Sequence, residues 1–119
     1  MAGRQDPMAP LEAFALGLPG AFRDTPWEGD AVAKVGKKIF VFFGAVTDPG
    51  AAISVKLPES ADHALTLDGA RPTSYGLGRH GWVTVPVGGA PPDLLQDWIE
   101  ESYRTIATKK LVAELDARG

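Results

Sequence analysis

Two spacings of apolar residues divide this chain into helices and strands. Leu11, Phe14, Ala15 and Leu18 recur at three- and four-residue intervals, which predicts a short helix over residues 10–18, stopped by Pro19-Gly20. Residues 21–30 carry Phe22, Pro26 and Trp27 among charges and read as an irregular or short extended segment with one ring turned inward. Residues 31–35 then alternate, Gly36-Lys37 supplies a turn, and Ile39-Phe40-Val41-Phe42-Phe43 is a strand apolar on both sides. Such a strand belongs inside a sheet, one face on a helix and the other at least partly covered. Thr47-Asp48-Pro49-Gly50 has turn chemistry, and Ile53-Ser54-Val55-Lys56 alternates as a third strand, with Ile53 and Val55 inward and Lys56 outward.

The second half continues with a helix from Pro58-Glu59 to about Leu67, closed by Asp68-Gly69. Thr73-Ser74-Tyr75 predicts a fourth strand, Gly76-Leu77-Gly78 a loop, and Trp82-Val83-Thr84-Val85 a fifth strand ended by Gly88-Gly89. Pro91-Pro92 opens the longest helix, because proline in a first turn has no intrahelical N–H to lose. Leu94, Leu95, Trp98, Ile99, Ser102 or Tyr103, and Ile106 form one stripe along it. Asp93 and Asp97 suit the positive end of its dipole and Lys109 and Lys110 the negative end, after which residues 111–119 either continue the helix or fray. Hairpin-linked strands with helices to one side predict a single α+β domain over residues 10–119, after a loose terminus over 1–9. Its antiparallel sheet has about five strands, in the order helix, three strands, helix, two strands, helix.

Composition narrows the function classes. The chain has 119 residues, enough to bury a core without staples, and no cysteine, which excludes disulfides, thiolate nucleophiles and Cys-based zinc sites. No apolar run is long enough for a membrane span and the first residues lack a signal-peptide pattern, so the reading places the protein in the cytoplasm, away from membranes. A net charge of −3 argues against indiscriminate gripping of phosphate backbones. The charge is unevenly placed, however. Residues 31–90 hold Lys34, Lys37, Lys38, Lys56, Arg71 and Arg79 against Asp48, Glu59, Asp62 and Asp68, while both ends are negative.

Catalytic and metal chemistry find little support. His63 and His80 have no third ligand at metal-binding spacing, and Asp24, Glu28 and Asp30 lack the glycine-centred calcium-loop pattern. The serines stand in no nucleophile elbow, and Gly76-Leu77-Gly78 lacks the third glycine and the helix that a phosphate-binding loop needs. Trp82, Trp98 and Tyr103 read as core or core-edge residues rather than a base-stacking platform. The expectation is a protein that is not an enzyme and holds no cofactor or metal.

Four pieces in order, LPGAFRDTPWEGDAVAKVGKKIF, ISVKLP, RPTSYGLGRHGWVTVPVGG and LLQDWIEESYRTIATKKL, give the chain its resemblance to the MmcQ/YjbR family of small bacterial proteins often labelled DNA-binding. The pattern includes an aromatic residue in the strand after a basic loop (Trp82), Lys56 after β-branched residues, and the pair Ser102-Tyr103 in the last helix. Many relatives carry His or Lys just before the tryptophan and Asn in the loop. Here those places are Gly81 and Gly78, with Arg79-His80 displaced toward the loop tip. The resemblance implies a CyaY-like or "double wing" fold and a non-catalytic DNA-binding or regulatory accessory protein. On that reading Lys34, Lys37, Lys38, Lys56, Arg71, Arg79 and His80 share one side of the sheet and its loops and contact nucleic acid. The alternative is a module for a protein partner or small ligand with no nucleic-acid binding. An iron-handling role ranks last, because the acidic residues form no ridge. The sequence leaves the oligomeric state open.

Overall fold

A computed structural model describes residues 8–27, 30–43, 52–73 and 77–118. In chain order the elements are α1 (Met8–Leu16), β1 (Ala21–Trp27), β2 (Asp30–Val35), β3 (Lys38–Phe42), β4 (Ala52–Lys56), α2 (Ala61–Leu65), β5 (Arg71–Pro72), β6 (Trp82–Pro86), α3 (Pro92–Ile106) and α4 (Lys109–Ala117). Short 3₁₀ turns at Leu77–His80 and Val87–Gly89 flank β6. The strands form one antiparallel sheet in the order β1-β2-β3-β4-β6-β5, so the α+β class holds.

The sheet has six strands rather than about five, because residues 21–27 pair with β2 instead of running irregularly. Their low alternation hid the strand: edge position leaves Phe22, Arg23 and Thr25 exposed, so no periodic apolar signal is required there. The Gly36-Lys37 hairpin turn forms as expected between paired Val35 and Lys38, with Gly36 at φ 65°, a conformation costly for a side-chain-bearing residue. The turn at residues 47–50, residues 74 and 75 of the expected fourth strand, and residues 1–7 lie outside the described residues.

Cross-strand register assigns the two faces. Ala33, Val41, Val55 and Val83 stand opposite one another in turn, and Ile53 pairs with Val85; all are buried beneath the helices. The reverse face carries Phe22, Lys34, Phe42, Ser54, Lys56, Thr84, Trp82 and Arg71. Between β2 and β3 the register shifts, so that Ala33 faces Val41 but Lys34 faces Ile39, leaving Phe40 as an extra residue. The bulge lets Phe40 and its neighbour Val41 both join the core, where the Phe40 ring meets Tyr103 edge-on at 5.3 Å.

Three consecutive residues of α3 fasten the layers together. Glu101 accepts from the backbone N–H groups of Glu59 and Ser60 at 3.0 and 3.1 Å and from the Ser60 hydroxyl at 2.6 Å, fixing the entry to α2. The buried Ser102 hydroxyl reaches the sheet, and the buried Tyr103 hydroxyl donates to the Pro19 carbonyl at 2.6 Å. The long helix itself stops at Ile106. Ala107 and Thr108 are extended, and the Thr108 hydroxyl accepts from the Leu111 N–H to begin α4. Lys109 and Lys110 therefore lie in the first turn of α4, at its positive end, and not at the negative end of α3. Arg104 joins the two helices through Glu100 and Asp116, and these hydrogen bonds, Asp116 first, raise its already high pKa.

Candidate nucleic-acid interface

Beyond the Val41–Val55 pair the ladder between β3 and β4 stops. By register Phe40 and Lys56 would pair next. Instead, the Ser102 hydroxyl stands between them, accepting from the Lys56 N–H at 2.9 Å and donating to the Phe40 carbonyl at 2.6 Å. A side chain thus completes a sheet bond that the two strands are too far apart to make, and neither backbone group is left unpaired.

At this splayed end lies a cleft of about 420 Å³, lined by Lys37, Lys38, Ile39, Phe42, Lys56, Leu77, Trp82, Thr105 and Ile106. The hairpin turn and the start of β3 supply two lysines, and the end of β4 supplies Lys56. Phe42 and Trp82 meet edge-on at 5.4 Å, and the last turn of α3 contributes Thr105 and Ile106. Among the described lining residues there is no carboxylate, and among the described residues none of the three lysines lies within ion-pair distance of one. Three ammonium groups beside a partly apolar wall favour an anion, since each cation there lacks a local counter-charge.

A family model described as YjbR matches residues 16–105. The chain belongs to the YjbR family. The match runs from the end of α1 through the last turn of α3, so every lining residue of the cleft except Ile106 lies within it, whereas α4 lies outside. No curated protein matches the chain.

Within this YjbR domain the seven residues expected at the interface separate into groups. Lys37, Lys38 and Lys56 come together around the cleft. Lys34 shares the sheet face but is engaged elsewhere, 3.3 Å from Asp24 and 6.0 Å from the centroid of the Phe22 ring. Arg71 is exposed on edge strand β5, opposite Thr84. Arg79 and His80 are exposed in the 3₁₀ turn whose first residue, Leu77, lines the cleft. His63 is exposed and sets its ring edge-on to Trp98 at 5.6 Å, and among the described residues no group of three or more His, Asp or Glu converges to hold a metal.

Sequence reasoning missed the apolar half of the cleft. Trp82 is buried, as expected of a core aromatic, yet it packs on the face opposite the helices and borders the cleft with Phe42. The signal for Phe42 was present in a strand apolar on both sides, which requires cover on the second face. Thr105, Ile106 and Leu77 had no comparable signal, because their place depends on where α3 ends relative to β3 and β4.

Proposed function

We propose that this YjbR protein is a cytoplasmic, non-catalytic accessory factor that binds DNA through its phosphate backbone. The observation that supports the reading is the convergence of Lys37, Lys38 and Lys56 on one cleft with no carboxylate among its described lining residues. Arg71, Arg79 and His80 are exposed and extend the basic surface, while Lys34, engaged by Asp24, contributes least. With a net charge of −3 the rest of the surface repels a polyanion, so attraction concentrates on this side. Each phosphate neutralised releases counterions, so binding weakens with salt at a logarithmic slope of about −0.9 per contact.

The test is a salt series of binding to labelled duplex DNA, with wild type beside a Lys37→Glu, Lys38→Glu double variant. The expected result is salt-sensitive binding whose slope is shallower by about two contacts' worth in the variant. Absence of wild-type binding at low salt would remove DNA as the partner and leave a protein partner in its place.

A further inference from the structure

We infer that the cleft is the seat of a single unstacked nucleotide, so that this protein prefers single-stranded nucleic acid to duplex. The inference rests on the nucleic-acid reading above and adds to it the part of the polymer that enters. Three features carry it. The site is concave and penetrates the sheet where Ser102 holds β3 and β4 apart, so a convex duplex can touch only its rim. Its volume of about 420 Å³ lies at the small end of the range for small-ligand pockets, roughly 300–1,000 Å³. Its lining joins cations to an apolar wall: Lys37, Lys38 and Lys56 stand with Phe42, Trp82 and Leu77.

The chemistry of those two halves differs. Lysines contact phosphate whether the strand is paired or not. Aromatic side chains reward only a base whose face is free, and in a duplex that face is already covered by its stacked neighbours. Phe42 is the half-buried member of the aromatic pair and therefore the ring a base can reach, whereas Trp82 behind it fixes its orientation by the edge-on contact.

The experiment compares a short labelled oligothymidylate strand with a duplex of the same length, at one low salt concentration, for wild type and Phe42→Leu. Leucine keeps the apolar bulk and removes the ring. Wild type should bind the single strand about fivefold or more tighter than the duplex, and Phe42→Leu should erase the difference while leaving duplex binding in place. Equal wild-type affinities, or a preference that survives in a folded Phe42→Leu protein, would overturn the nucleotide seat and leave the backbone grip standing. No binding of either polymer by wild type would remove the nucleic-acid reading and this inference with it. A thermal melt establishes that the variant folds. Should it not fold, the wild-type comparison decides alone.

Discussion

The Ser102 hydroxyl donates a 2.6 Å hydrogen bond to the Phe40 carbonyl, across 62 positions of sequence. With its second bond, from the Lys56 N–H, it spans a gap in the sheet that the backbone alone leaves open. Ser102→Ala removes the spacer and strands a buried donor and acceptor. A loss of about 1–3 kcal/mol is expected, read from the urea midpoint. An unchanged midpoint would show that β3 and β4 close up and pair directly without the serine.

Tyr103 makes the next contact along α3, and its effect depends on pH. Burial, with Glu114 second, raises its hydroxyl above the ordinary value of 10.0, against smaller opposing effects of Arg118 and Arg104. The folded state then holds the proton more tightly than the unfolded chain. The resulting stability is complete below pH 10 and is lost as pH rises through the folded-state value. Tyr103→Phe keeps the ring on Phe40, loses the bond to Pro19 at a cost of about 1 kcal/mol, and should lose this part of the alkaline decline. Thermal melts from pH 8 upward on both proteins check it; parallel decline would refute the assignment.

Glu101 holds the start of α2 through three accepted hydrogen bonds. Hydrogen bonds to a charged group contribute about 1.5–3 kcal/mol each in buried settings and less here, where Glu59 is exposed. Glu101→Ala should therefore cost about 1–2 kcal/mol and free the amides of Glu59 and Ser60. Hydrogen exchange that stays slow at those two amides would count against the cap.

Trp98 sits in the core beneath α3 and Trp82 on the opposite face of the sheet, and both are more than nine-tenths buried. Replacing either by alanine should destabilise by about 3–5 kcal/mol. Lys37→Glu and Arg79→Glu, on exposed turns, should stay within about 0.5 kcal/mol of wild type. A thermal melt that ranks these four variants otherwise would mean that the burial assignments are wrong.

Helix α3 was legible because its signals are local: prolines at the start, an apolar stripe with Leu95, Trp98 and Ile99 buried, and Asp93 in the first turn. The Gly36-Lys37 turn was legible for the same reason, since a positive φ at Gly36 is a property of that position. Where the reading went astray, competing local signals had been passed over. Thr108 is an ordinary N-cap residue, and giving it that role ends α3 and starts α4. Edge strand β1 escaped because exposure on both sides removes alternation. The basic site was half legible: six cations in the middle of the chain were visible, but not that Lys37, Lys38 and Lys56 would gather while Lys34 turned to Asp24.

By itself the sequence determined which segments are helices and hairpins, which faces are apolar, and that the middle of the chain is basic, because each follows from residues within a few positions of one another. Tertiary structure alone decided that β3 and β4 part beyond Val41 and Val55, that Ser102 fills the missing bond, and that lysines and aromatic rings meet at the opening. Those relationships join residues from distant parts of the chain. No local rule reaches so far; they are fixed only when the strand bulge at Phe40 and the docking of α3 are satisfied together.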